Sequence, residues 1–410
     1  MNTAIKPGEH VPVVVIGAGP NGLLAALALR QRGIKSIVLE AKPGLIRRDS
    51  GAITMPRPVL EILQSVAPAV YEKLRRIGLT WTKKTTYFGP FKWHLWTHDY
   101  SRHVAGDMPP FINIVQHLTV ESLFEEIRQY PDFITVKFDE AALEICQTTV
   151  DATVITAKAV YATPYVIACD GVHSPTRKRL GIELAGDRST CKFVILDIIA
   201  DLPFSSERRY YFSAPGCKAG GGVLLIPEAV DAQGKAGWRI DFQLSPKESA
   251  IFDFEAALHN GDIERRLRRI IGNVPYELNW KSVYHFNQKV ATTYQAGRVF
   301  LAGDAAHAFS PFGAPGLTTG FGDVMLLADL LQGVLVHDAP ASTLERYTAE
   351  RREFALAKQR TSQQVLRAMI PKNTFDRLWR NVRLLLGVVF PGLRAALDSG
   401  PYDKRVEKFS

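Results

Sequence analysis

The stretch VPVVVIGAGPNGLLAALALRQRGIKSIVLEAK, residues 11–42, restricts the fold of this chain more than any other. Val13 to Ile16 form an unbroken β-branched run, as expected of a strand buried on both faces of a parallel sheet. Gly17, Gly19 and Gly22 follow at the spacing G-x-G-x-x-G, with Pro20 and Asn21 between the last two. In that pattern the first glycine permits a tight turn and the second admits a pyrophosphate to bare backbone. The third lets a helix pack close to the strand, with its N-terminus facing the phosphates. Leu23 to Leu29 supply the helix's apolar face, Gly33 ends it, and a second apolar run finishes at Glu40. An acid there accepts from both hydroxyls of a ribose, which favours FAD or NAD and argues against NADP at this position. The expectation is an α/β chain with a Rossmann-like dinucleotide-binding domain.

A second backbone-exposing segment lies far along the chain, FLAGDAAHAFSPFGAPGLTTGFGD, residues 300–323. Val299 to Ala302 read as a short buried strand, Gly303 as a turn, and Asp304 as a carboxylate where the strand ends. Ligands of open α/β sheets lie beyond the carboxyl ends of strands. Pro311, Gly313, Pro315 and Gly316 break any helix, and a new one is expected near Leu317 or Thr318, its free N–H groups facing back. Taken singly, Asp304 reads equally as a helix cap, and Asp170-Gly171 as a hairpin turn.

Taken together, three segments in fixed order carry a resemblance: GAGPNG, then VIACDGVHSPTRKRLGI (166–182), then the GD stretch. They resemble the FAD-dependent aromatic hydroxylases, the single-component flavoprotein monooxygenases typified by para-hydroxybenzoate hydroxylase. WRIDFQL (238–244) and PFGAPG (311–316) are most similar to the phenylpropionate and phenol hydroxylase branch.

The resemblance implies NAD(P)H- and O2-dependent hydroxylation of an aromatic substrate, phenolic or polycyclic, through a flavin C4a-hydroperoxide, with NADPH or NADH as donor. It implies that Gly17, Gly19, Gly22 and Glu40 hold the ADP half of FAD. Asp170 and Gly171 stand near the pyrophosphate, and Gly303 and Asp304 bind the ribityl side. Pro311 stands beside the flavin ring, and Gly316, Leu317 and Thr318 face the ring's pyrimidine edge. Gln116 matches a family residue touching the flavin chain, and Arg48 a family arginine close to the flavin, although Arg47 fits almost as well. His307 is read as a packing residue first and a proton-transfer group second. Ala314, Pro315 and Leu317 depart from the family's glycine-rich consensus while keeping its spacing. The alternative functions are flavin chemistry without oxygen insertion, such as double-bond reduction, and a flavin redox sensor.

The FAD-binding domain is expected to be discontinuous, over residues 1–75, 105–185 and 286–370. An inserted antiparallel-sheet substrate domain fills 76–104 and 186–285. The aromatic-rich stretch 87–100 is expected to join its sheet, and Trp96, Tyr211 and Phe212 are its candidate pocket walls. Residues 371–410 read as a C-terminal helical tail, amphipathic from 375 and packing as a helix pair on the FAD-binding half or a second subunit.

A net charge of +9 favours anionic partners, but the basic residues are scattered. Their one cluster, ERRLRRIIG (264–272), reads as the exposed face of an amphipathic helix, so nucleic-acid binding is not expected. Four cysteines without C-x-x-C spacing, and no secretory leader, read as reduced thiols in a cytoplasmic enzyme. No window of 18 apolar residues free of charge occurs, so membrane contact is not expected; monomer and homodimer remain open. The sequence holds no H-E-x-x-H, Walker loop, G-x-S-x-G or W-x-W-x-I-P. His94 and His98 sit in a strand-like stretch that holds them too far apart to share a metal.

Overall fold

A computed structural model of the chain describes residues 9–45, 53–101, 106–311, 314–371 and 373–394. Val13–Ile16 is the centre of a six-stranded sheet, as its all-buried β-branched sequence requires. Ser36–Leu39 and then Ile134–Lys137 lie on one side, and Tyr165–Ala168 and Val299–Leu301 on the other, all parallel. The short strand Gln295–Ala296 closes the edge antiparallel. The carboxyl ends of Val13–Ile16, Tyr165–Ala168 and Val299–Leu301 therefore converge on one side of the sheet. Each is followed by one of the three segments singled out in the sequence.

The second large sheet has eight strands, among them Lys83–Phe88, Trp93–Asp99, Leu184–Ile199, Arg208–Phe212, Val223–Ala229, Ala236–Gln243 and Glu277–Ala291. It is antiparallel except where Arg208–Phe212 runs parallel to Lys83–Phe88. Leu184–Ile199 and Glu277–Ala291 pair over most of their length. They run through the expected divisions at 185–186 and 285–286, and His307–Ala308 of the GD segment pairs onto the second of them. Two continuous strands thus carry the sheet into the nucleotide-binding half.

One face of this sheet is covered by Asp262–Ile271, an amphipathic helix that buries Ile263, Leu267, Ile270 and Ile271 as its spacing predicts. Arg266, expected on the wet face, is buried instead and bonded to Glu248 (2.9 Å) and Asp262 (2.8 Å). The tail also departs from expectation. Its described residues form one helix, Thr374–Val389, with a short turn Pro391–Arg394, packed on the opposite face of the eight-stranded sheet. Leu384 enters a cluster with Trp96 and Phe212. Arg380 donates to the Gly220 carbonyl (3.1 Å) and Ser213 Oγ (3.0 Å), and burial lowers its pKa to about 10.

Pro315–Val336 is, by length and apolarity, long enough to cross a membrane. Asp323 and Asp329 broke the uncharged run in the sequence. In the fold half of its most apolar window is buried, with Phe321, Val324, Leu327 and Leu331 packed in the core against the first helix, Pro20–Gln31.

Candidate functional site

The first loop is built by close approach. Gly17 has φ +104°, and a Cβ there would stand 2.5 Å from the Cys169 carbonyl oxygen. A Cβ on Gly22 would overlap the Gly17 carbonyl. These two glycines close the turn against the protein itself, whereas a Cβ on Gly19 would meet no protein atom within 4 Å. Gly19 precedes Pro20, the first residue of the helix, and no side chain caps that helix N-terminus. Its backbone N–H groups are left for an anion. Glu40 accepts from the Ala18 N–H (2.8 Å) and the Lys42 N–H (2.9 Å), which holds its carboxylate at the mouth of the loop. Gly19, Glu40, Gln116, Asp170 and Gly171 line one cleft of about 390 Å³. Gln116 reaches it as the first residue of the helix Gln116–Ile127.

The second segment enters from the neighbouring strand. Asp170 Oδ2 accepts from the Thr176 N–H (3.0 Å), and Oδ1 is buried with no partner. Gly171 takes φ +82°, which makes the turn. Arg177, which the sequence reading did not single out, is buried and donates to the Val172 carbonyl (3.0 Å) and the Ala305 carbonyl (2.9 Å). It ties the DG turn to the GD turn.

Gly303 has φ +61°, and a Cβ there would overlap the Asn21 side chain. A Cβ on Gly320 would overlap the same side chain. Asn21 of the first loop is therefore wedged between two glycines of the last, and the segments meet in space as their order implied. Asp304 is exposed just past the end of Val299–Leu301. His307 is fully buried: its Nε2 lies 2.7 Å from Asp323 Oδ2, and its ring stacks on Phe309 at 4.8 Å. Arg351 Nε donates to the other oxygen of Asp323 (2.8 Å), and the Gly303 N–H also reaches Oδ2 (3.2 Å). Asp323 and Arg351 were missed in the sequence, although Asp323 closes the very motif quoted.

The long helix starts at Pro315, two residues ahead of expectation. Pro315 and Gly316 begin the helix instead of breaking it, because a proline's missing N–H costs nothing in a first turn. The preceding Ala314 sits at φ +52° and caps with no side chain. A Cβ on Gly316 would meet no protein atom within 4 Å, Leu317 is buried, and Thr318 Oγ1 donates back to the Ala314 carbonyl (3.0 Å). Pro311 is exposed, its carbonyl accepting from the Ala314 N–H (3.0 Å). Arg47 and Arg48 lie outside the described residues.

The three aromatic candidates are divided. Trp96 and Phe212 are buried in one cluster with Ile53, Phe193 and Phe286. Tyr211 is on the opposite face, under Asp262–Ile271, stacked on Tyr87 at 4.7 Å. Adjacent strand residues point to opposite faces, so Tyr211 does not share a wall with Phe212.

Residues 10–362 match the family described as FAD binding domain. The chain is 26% identical over 375 residues to para-nitrophenol 4-monooxygenase of Pseudomonas sp. (strain WBC-3), covering 84% of this chain and 83% of that one. It is 27% identical to the 3-(3-hydroxy-phenyl)propionate/3-hydroxycinnamic acid hydroxylase of Mycolicibacterium gilvum (strain PYR-GCK), over 88% of this chain and 61% of that protein's length. Among solved structures, p-nitrophenol 4-monooxygenase from Pseudomonas putida DLL-E4 superposes with a TM-score of 0.81 at 22% identity over 98% of both chains, a likeness of fold. With the match running through all three cofactor segments, this chain belongs to the FAD binding domain family and is an FAD-dependent monooxygenase of the aromatic hydroxylase kind.

Proposed function

We propose that this enzyme hydroxylates an aromatic small molecule, phenolic or polycyclic, using O2 and electrons from NADH or NADPH. The observation that carries the reading is the meeting of three distant segments, the first and last at Asn21, Gly303 and Gly320 and the middle one tied to the last by Arg177, beside two helix N-termini without side-chain caps. The relatives' names add the substrate class, since one acts on para-nitrophenol and another on a hydroxyphenylpropionate.

The residues present fit FAD. The buried Asp170 Oδ1 has no protein partner, Gly19 and Gly316 leave room at both helix starts, and Glu40 stands at the ribose position. FAD, when bound, supplies the redox and oxygen-activating chemistry, which side chains do not provide. The first loop and the N-terminus of Pro20–Gln31 hold the diphosphate, Glu40 the ribose, and Asp304 the ribityl hydroxyls. Pro311 and Gly316 to Thr318 line the ring, where the free N–H groups of Pro315–Val336 stabilise negative charge by about 0.3–2 kcal/mol. Asp170 orients the pyrophosphate side and assists reaction with the nicotinamide donor. Trp96 and Phe212 belong to the apolar face that excludes water from the substrate side. His307 holds the GD turn in place.

In this division of labour the segments 1–75, 105–185 and 286–370 bind the cofactor, and the eight-stranded sheet presents the substrate. NAD(P)H consumption measured against phenols and polycyclic aromatics tests the reading. Stimulation confined to one compound class supports it, while a slow rate indifferent to every compound contradicts it.

A further inference from the structure

The helix Thr374–Val389 is turned inside out. An amphipathic helix of a globular protein ordinarily buries its apolar stripe and leaves its charges wet. Here Phe375, Leu378, Trp379, Val382, Leu386 and Val389 recur at intervals of three and four, which sets them along one face. That face is exposed, by 74% at Phe375 and 69% at Val389. The side against the sheet carries Arg380 and Leu384, both buried. The Arg380 guanidinium lies over the Phe212 ring (5.6 Å), and Arg394 of the following turn lies over Trp96 (5.3 Å). Arginines therefore fasten the helix to the sheet, and its apolar residues face outward.

A second exposed aromatic pair stands at the same end of the sheet. Phe91, in the turn between Lys83–Phe88 and Trp93–Asp99, and Trp93 just after it have their rings 5.9 Å apart. The Gly89 N–H of that turn donates to the Phe212 carbonyl (2.9 Å), and Arg380 donates to Ser213, the next residue (3.0 Å). Exposed apolar surface of this extent marks a place where something docks.

We propose that the outer face of Thr374–Val389 docks on a membrane surface carrying anionic lipid, with the helix lying flat in the headgroup layer. Charge selects this occupant. Residues 374–394 hold one acid, Asp376, against four arginines, in a chain of net charge +9. Arg377 and Arg383 are half-buried on either side of the stripe, where they meet headgroup phosphates when the stripe is immersed. Trp379, within the stripe, is the residue type that favours the membrane–water interface. A second copy of the chain answers this charge poorly. Pairing two such stripes sets arginine against arginine, with one aspartate on each helix to offset them. The helix has 16 residues, short of the roughly 20 a span takes, so it lies on the bilayer and does not cross it. The scattered charge of the whole sequence gave no indication of a membrane; the outward turn of this stripe does.

The test floats FAD-loaded protein through a density gradient with vesicles of phosphatidylcholine alone or of phosphatidylcholine mixed with phosphatidylglycerol. Wild type is expected to rise with the mixed vesicles and to bind pure phosphatidylcholine at least about fivefold more weakly. The combined variant Leu378→Gln, Trp379→Gln, Leu386→Gln is expected to lose about tenfold or more in binding to mixed vesicles. It is expected to keep its FAD and its melting temperature, because these side chains are exposed in the free protein. Arg383→Glu, which leaves the apolar stripe intact, is expected to lose about fivefold on mixed vesicles and nothing on phosphatidylcholine. Wild type that stays behind with both kinds of vesicle overturns the proposal. So does mixed-vesicle binding that either variant leaves at the wild-type level. Sedimentation of vesicle-free wild type as a dimer that the triple variant splits assigns the face to a second copy and overturns the proposal as well.

Discussion

His307 Nε2 lies 2.7 Å from Asp323 Oδ2, and both side chains are wholly buried. Asp323 also takes Arg351 on its other oxygen and the Gly303 N–H on the same one, so one carboxylate joins the GD turn, the long helix and the helix Glu345–Met369. His307 thereby braces the GD turn against the long helix. Asp323→Ala takes the only carboxylate from the part-buried Arg351 guanidinium among the described contacts and is expected to cost about 3 kcal/mol, with Asp323→Asn milder, as read by urea unfolding. His307→Gln, which retains a nitrogen near the Nε2 position, is expected to lower FAD occupancy while leaving the shape of the pH–rate profile unchanged. A profile that loses one limb would assign proton transfer to His307 instead.

Two glycines of the first loop separate fold from ligand. Gly22→Ala drives a Cβ into the Gly17 carbonyl and is expected to destabilise the protein with or without FAD. Gly19→Ala meets no protein atom within 4 Å, so the melting temperature of FAD-free protein is expected to hold while FAD affinity falls about tenfold or more. Equal loss of stability in both variants would contradict a phosphate-facing Gly19.

The Asn21 wedge predicts non-additivity. Gly320→Ala alone overlaps the Asn21 side chain and is expected to cost about 1–3 kcal/mol, as overpacking does. In an Asn21→Ala background that cost is expected to shrink to a few tenths of a kcal/mol. Additive unfolding energies in the double-mutant cycle would show that the two segments do not meet through Asn21.

Asp241 gives a pH signature. Burial, opposed by Arg239, raises its carboxyl from 3.8 to about 6 in the folded state. A raised carboxyl stabilises the fold when protonated, so its contribution is complete below the unfolded value and is lost as pH rises through about 6. Asp241→Asn removes that loss. Relative to wild type the variant is expected to gain about 2 kcal/mol of stability between about pH 4.5 and 7.5, measured by urea unfolding at both. A difference that does not change with pH would place the Asp241 carboxyl in its ordinary range.

The parts of the site readable from sequence are those ruled by local sterics. The run Val13 to Ile16, the glycine spacing, and Glu40 at the end of the next strand are all local, and the structure keeps each in place. The start of the long helix was misplaced by two residues because Pro315 was weighed as a breaker when it suits a first turn. Tyr211 and Phe212 face opposite sides of the sheet, a separation that period-two alternation alone predicts. Links set by sheet register and helix packing were not legible. Arg351 reaches Asp323 across two helices, and Arg177 joins two turns far apart in the chain. The tail was legible as amphipathic, but not which surface Leu384 would enter.

The decisive measurement is the origin of the product's oxygen. FAD-loaded enzyme turning over an aromatic compound with NAD(P)H under ¹⁸O2 is expected to yield product carrying one heavy oxygen atom, seen by mass spectrometry, at a rate that depends on the compound. Product without the label, or a reduced compound that has gained no oxygen, would contradict hydroxylation and assign the same cofactor site to another flavin reaction.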